Sequence, residues 1–502
     1  MSNTKRSGWL ADRGIACLVI ILLIMPMAAF GAWTSDYLWD RGVSWEQGEW
    51  VLAMLPMGAS VIFLSLRSES PAPGSREGLV AGLTLTAMAS AMLYAAINVW
   101  FLLAASFLYG AGIGLHMTWL ARNASRLFAA PRAPVRAAVH MIPAVAMYLL
   151  AADILPWFES ISAPDGGFLV GMVTSALALL ICLATRTHRS QPSALRIDPW
   201  LALLATVSLI SLCLAFVRNV DHRKNVMSSV MLVIDGLVFA GLYLARLNAT
   251  RGIRLSPLAL SSTPLRRCLL SLLVSCAAAL AVITIVSLGN PAIDEPGSAK
   301  PEVRLGLFVV SALVAGPLLW AYAPRFLRST FMPMMLTLAS GSCFGLYLTA
   351  SQPAWVAFSI SAGAGLGGAI TYAMMRLANL GPHAMFRNPL RLGLAASFLG
   401  GTFGLVGAFS LMNQIYIGTL VSDPSDTLQP GRPLRLADAM TLLDKVSPHE
   451  PYPSTIAVSV ANSISSSLAI LCISLAVAGI LASVAAPPLH ARFRQATDAR
   501  RK

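Results

Sequence analysis

Apolar residues occur in long blocks separated by short polar breaks, from the start of the chain to its end. The blocks start near Gly14, Gly48, Gly78, Trp100, Ala137, Gly167, Pro199, Ser229, Cys268, Leu305, Thr330, Trp355, Leu390 and Thr455. Each runs for about 17–25 residues, enough α-helix to cross a hydrocarbon core about 30 Å thick. Lipid offers no hydrogen bonds, so a spanning segment must satisfy its own backbone, and a helix does so. The pattern predicts an all-α membrane protein of about fourteen transmembrane helices. The break near Asn98 is so short that the third and fourth spans must form a tight hairpin. The first block follows Lys5, Arg6 and Arg13 as a signal peptide would, but it is too long for one, and no cleavage site precedes a polar domain. It reads as the first span.

Composition agrees. Hydrophobic residues make up 56% of the 502 and charged residues 12%, with a mean hydropathy of +0.70. A soluble domain is about 25% charged, so little room remains for one here. The net charge of +14 would suggest nucleic acid in a soluble chain. Here the basic residues sit in short loops, where they set orientation. With the N-terminus inside, the even-numbered loops and both tails hold 27 of the 36 basic residues, and the odd-numbered loops hold 9. The acids run the other way, 15 of 22 lying outside. Both termini are therefore expected in the cytoplasm. The seven cysteines, at 17, 182, 213, 268, 276, 343 and 472, lie in or beside apolar blocks and form no CxxC pair, so they read as packing residues.

A repeat is visible. Tyr109–Tyr372 brackets two similar stretches, YGAGIGLHMTW and AGAGLGGAITY, in the fourth and twelfth spans. Gly110, Gly112 and Gly114 match Gly363, Gly365 and Gly367 at a constant offset, and Trp119 matches Tyr372. Glycines in membrane helices let backbones approach closely. They read here as packing or rocking surfaces, and their place in each half is what a parallel duplication predicts.

With these features the chain resembles the major facilitator superfamily, and within it the fourteen-span drug:proton antiporter branch. The resemblance rests on Val43–Ser60 at the second span, on YGAGIG at Tyr109–Gly114, and on a long outer loop, Asn413–Pro453, before the last span. It implies a 6+2+6 arrangement: a first six-helix bundle over 1–190, two extra linker helices over 191–262, a second bundle over 263–489 and a cytoplasmic tail over 490–502. It also implies a bacterial inner-membrane secondary transporter that exports small amphipathic compounds against proton entry. A periplasmic adaptor protein of an efflux assembly is an implied partner. The chain departs from that branch at several points. The loop Leu66–Glu77 has no Asp. Ser106 stands where an arginine precedes the glycines. Ile142, Ala146 and Met147 replace glycines around Pro143. No acid lies within Cys17–Trp33.

Ionisable groups inside spans are costly, so they are candidates for the substrate and proton pathway. Asp235, in VMLVIDGLVFAG, sits near the middle of the eighth span and reads as a coupling carboxylate or as a structural one facing another helix. Asp153 lies near the outer end of the fifth span, beside Pro156 and Trp157, with an interfacial reading open as well. His116 follows the glycines and either titrates or hydrogen-bonds across helices. Asp36 and Glu49, among Trp33, Trp39, Trp45 and Trp50, form either a solvated aromatic belt or a collar for cations. The loop Asn413–Pro453 has apolar residues at Leu436, Met440 and Leu443, which predicts an amphipathic helix over about Leu434–Val446. No metal-ligand spacing, phosphate loop, ATP motif or nucleophile–base set occurs, so no cofactor and no enzyme activity are expected. Two further readings stay open: a facilitator or importer without proton coupling, and a scaffold that does not transport.

Overall fold

The computed structural model describes residues 43, 45–66, 76–96, 98–128, 166–184, 197–218, 226–251, 263–287, 301–323, 330–349, 351–379, 389–422 and 454–484. They form helices α1 (Trp45–Ser65), α2 (Arg76–Tyr94), α3 (Val99–Phe128), α4 (Gly166–Ala184), α5 (Pro199–Arg218), α6 (Val226–Arg251) and α7 (Thr263–Ser287). There follow α8 (Pro301–Val310), a π-helical turn (Ser311–Ala315), α9 (Gly316–Tyr322), α10 (Phe331–Leu348), α11 (Gln352–Asn379), α12 (Pro389–Ser422) and α13 (Ser454–Val484). Ten of the described helical stretches are long and apolar enough to cross a membrane, and two shorter apolar ones lie in α3 and α4. Each coincides with a predicted span, its start no more than five residues from the predicted one. The first and fifth predicted spans, from Gly14 and Ala137, lie outside the described residues.

Three helices in each half share one packing scheme. A side chain on Gly110 would meet the backbone of Leu55, and one on Gly114 the backbone of Ala59, both on α1. Gly112 faces Gly82 and Thr86 on α2 in the same way. In the second half, Gly363 faces Phe308, Gly367 faces Ala312, and Gly365 faces Met335 and Ala339. Leu55 and Phe308, Ala59 and Ala312, Gly82 and Met335, and Thr86 and Ala339 are each 253 positions apart, the spacing of the glycines themselves. The glycine pattern therefore extends to the helices it packs on: α1, α2 and α3 repeat as the α8–α9 span, α10 and α11. The described last spans do not keep this register: α4 begins at Gly166 and α13 at Ser454.

The halves differ in one span. Pro317 lacks an N–H and cannot bond back to residue 313. The helix widens there instead, and the Gly316 N–H reaches the Ser311 carbonyl. Ser311 returns its hydroxyl to the Phe308 carbonyl at 2.8 Å. Within the second half, α12 crosses α7 at Gly400 and Gly404, which face the backbones of Leu273 and Ala277. That is a four-residue small-residue spacing that brings two backbones together.

One expectation needs correction. The outer loop was placed from Asn413, but α12 continues to Ser422. Asn413 and Gln414 are followed by an apolar run from Ile415 to Val421, and Tyr416 is fully buried. Two polar residues do not end a helix whose next turn still packs. The amphipathic helix expected at 434–446 falls outside the described residues.

Candidate functional site

The two halves meet where α1 lies against α12. Phe63 of α1 stacks on Phe398 of α12, ring centroids 5.8 Å apart and planes 18° from parallel. One turn or more away, a side chain on Gly401 would reach ordinary contact with Pro56. A continuous apolar core crosses this seam, joining Met54, Met57 and Val61 of α1 to Leu405, Phe409 and Met412 of α12. Sequence explains its composition. Every block is apolar on all sides, so what faces the partner helix is as apolar as what faces lipid.

The seam residues named above offer dispersion, aromatic faces and thioether sulfurs. On α1 the Ser60 hydroxyl donates to the Pro56 and Met57 carbonyls at 3.0 and 2.8 Å, and on α11 the Ser359 hydroxyl donates to the Trp355 carbonyl at 2.9 Å. Ser106 stands 253 positions before Ser359 and is fully buried. Its hydroxyl has no hydrogen-bond partner among the described residues. Among the described residues no group of three His, Cys, Asp or Glu is placed to hold a metal ion. The six described cysteines are free thiols.

The predicted site residues fall in different places. Asp36 and Asp153 lie outside the described residues. His116 lies on α3, two residues past Gly114, with its side chain undescribed. Glu49 is half-buried in the first turns of α1. Asp235 sits in the middle of α6 and is exposed on the surface of the protein, among exposed Met231, Ile234 and Val238. It is not in the α1–α12 seam. The six glycines sit at helix crossings.

Sequence reasoning missed one polar cluster. Asp198 is fully buried just before α5, and its carboxylate accepts from the N–H groups of Trp200 and Leu201 at 3.1 and 3.4 Å. Arg246 near the end of α6 pairs with it at 3.8 Å. The Asp-Pro pair at 198–199 is a readable helix start. Nothing in the sequence couples it to a residue 48 positions later.

No protein-family model matches the chain, and no curated protein matches it in sequence. In three dimensions it is similar to solved transporters. A proton-dependent oligopeptide transporter superposes with a TM-score of 0.57 at 13% identity, over 94% of this chain and 97% of that one. The fucose:proton symporter FucP of E. coli gives 0.50 at 13% identity, over 95% and 99%. The major facilitator superfamily proton:xylose symporter XylE gives 0.51 at 13% identity, over 94% and 93%. This is the major facilitator fold. The superpositions run across nearly the whole of both chains.

Proposed function

We propose that the chain is a secondary transporter whose two bundles, over 1–190 and 263–489, rock about the α1–α12 seam to expose a midplane site to each side in turn. One observation supports it above the others. The same three-helix glycine packing occurs twice at one offset, in a fold shared with proton-coupled peptide and sugar transporters. Two rigid, similarly built bodies that meet along an apolar seam are what rigid-body alternation requires.

The cargo in this reading is a small amphipathic organic compound. Walls of Met, Phe and Leu suit loose, adaptable recognition of apolar groups. Export driven by proton entry is the preferred direction, with Asp153 and Asp235 as the carboxylates to test. The long outer segment before α13 is where a periplasmic adaptor would dock. A facilitator without proton coupling is the second reading, favoured by the small buried Ser106 where the antiporters have an arginine.

The test is proton movement in proteoliposomes challenged with lipophilic cations, organic acids and neutral compounds. Wild type runs beside Asp153→Asn and Asp235→Asn. Compound-triggered proton movement that disappears in one variant establishes coupling and identifies its carrier. Compound flux with no proton movement selects the facilitator. Neither flux nor proton movement in folded protein, with any compound, defeats the transport reading.

A further inference from the structure

The α5–α6 hairpin lies over the seam between the bundles and is fastened very differently to each side. Its two helices are antiparallel: Asp198 pairs with Arg246 near one end, and the Ser208 hydroxyl donates to the Gly236 carbonyl at 2.8 Å further along. At the Asp198 end it grips α1. The Asp198 N–H donates to the Ser65 carbonyl at 3.0 Å, and Ile197 pairs with Leu66 as an antiparallel bridge. The Tyr243 hydroxyl donates to the Leu64 carbonyl at 2.9 Å. Leu64 and Ser65 are the last residues of α1, whose carbonyls have no partner within their own helix. The hairpin supplies those partners, and the buried Asp198 carboxylate locks α5 and α6 to each other at the same point.

At the other end α5 touches α12. Phe216 meets Phe403 edge-on at 6.2 Å, and the Ser410 hydroxyl donates to the Phe216 carbonyl at 3.2 Å in an exposed setting. Of the directional contacts among the described residues, one ring contact and one long hydrogen bond on α12 face a backbone hydrogen bond, a β-bridge and the Tyr243 hydrogen bond on α1. The helices gripped are the two that oppose each other across the seam, since Phe63 of α1 stacks on Phe398 of α12. A hairpin that bridges two bodies cannot hold both when they rock, and the weaker attachment must give.

We propose that the α5–α6 hairpin is a strap, anchored on α1 by Ile197, Asp198 and Tyr243, with Arg246 holding Asp198 to α6, and sliding on α12 as the bundles change orientation. The strap rests on the alternating-access reading above. It assigns to the two extra helices a mechanical part: they ride with the first bundle and cover the seam without tying it shut.

The test uses full-length protein in nanodiscs, with the native cysteines replaced. Nitroxide labels coupled through a hydroxylamine to p-acetylphenylalanine placed at Tyr94 and Tyr347, exposed near the ends of α2 and α10 and 253 positions apart, report the separation of the bundles without using a thiol. One version carries Leu66→Cys and Ile197→Cys joined by a short bismaleimide, fixing the anchor. A second carries Phe216→Cys and Phe403→Cys joined in the same way, fixing the slip surface. Labels go on in a separate step after cross-linking. The expected result is two label separations in uncross-linked protein, both kept with the anchor fixed, and one lost with the slip surface fixed. Loss with the anchor fixed, or persistence with the slip surface fixed, overturns the strap while leaving rocking intact. A single unchanging separation in uncross-linked protein, across pH and transported compounds, removes the alternating-access reading itself. A third arm pairs a label on Trp200→Cys with one on Leu64→Cys. Asp198→Asn with Arg246→Gln is expected to broaden that distance distribution, and an unchanged distribution denies these two residues the anchoring role.

Discussion

Replacing Gly110 with alanine adds one methyl group where α3 crosses α1. That methyl would land on the carbonyl oxygen, carbonyl carbon and Cα of Leu55, all of them backbone. No rotamer change clears backbone atoms, so α1 and α3 must move apart, and neighbouring contacts loosen with them. Overpacking of this kind costs about 1–3 kcal/mol, and a backbone obstacle places Gly110→Ala at the upper end. Gly363→Ala, its counterpart, meets the Phe308 carbonyl and the Ser311 hydroxyl. The hydroxyl can turn away, but the carbonyl cannot, so a cost of similar size is expected. Gly241→Ala is the control. Nothing lies within 4 Å of the added group, and alanine lowers the helix's backbone entropy cost, for a gain of up to about 1 kcal/mol. Gly345→Ala separates the two kinds of clash, because the three atoms nearest the added methyl all belong to the ring of Phe358. Phe358→Leu should therefore restore Gly345→Ala, whereas Leu55→Ala should not restore Gly110→Ala. The assay is thermal unfolding in detergent, followed with a thiol-reactive fluorogenic dye. Cys182, Cys213 and Cys343 are buried and become reactive on opening. Wild-type stability in Gly110→Ala, or its recovery by Leu55→Ala, would refute the backbone-crossing account.

Three further outcomes follow from particular residues. Asp235→Leu should favour membrane insertion of α6 by about 2.5–3.5 kcal/mol, the scale value for an uncompensated mid-span carboxylate. Glycosylation mapping of the inserted fraction checks it, and an unchanged fraction would mean that the carboxylate is compensated. Asp198→Ala should cost about 1–2 kcal/mol through the lost helix cap. The larger penalty of a broken buried ion pair is not expected, because the Arg246 side chain is 41% exposed and keeps its water. The same dye assay reads it. Trp355→Ala empties a fully buried site on α11 and should cost about 3–5 kcal/mol, with Trp355→Phe intermediate. Equal stability for these two variants would show that the site collapses.

Hydrophobic block length made the described spans legible, because lipid imposes a minimum helix length and tolerates no unpaired backbone. The glycine offset pointed to the repeat, since only glycine allows the approaches seen at Gly110 and Gly363. Its partners were not readable: Leu55 and Phe308, or Thr86 and Ala339, share no chemistry, and they match because their backbones do the packing. The end of α12 was misplaced for a related reason, since Asn413 and Gln414 look like a boundary only until Tyr416 is seen to be buried. Asp198 escaped notice because its importance lies in a partner one hairpin away. For the candidate site, sequence ranked residues by charge. The described seam works instead with sulfur, rings and shape, which leave little trace in a chain that is apolar throughout.

The place of the α5–α6 hairpin, between the two repeated three-helix sets, has a consequence in parity. Two halves with the same fold must enter the membrane the same way up if equivalent helices are to face equivalent neighbours. Each half with an even number of spans returns the chain to the side where it began. A single added helix between them would turn the second half upside down, and the α8–α9 span, α10 and α11 would then run against α1, α2 and α3 rather than with them. An antiparallel pair is the smallest addition that leaves handedness and orientation untouched. It is also the smallest that covers itself, since α5 shields one side of α6. With an even number of spans in each half, such a hairpin can be present or absent without turning either bundle over.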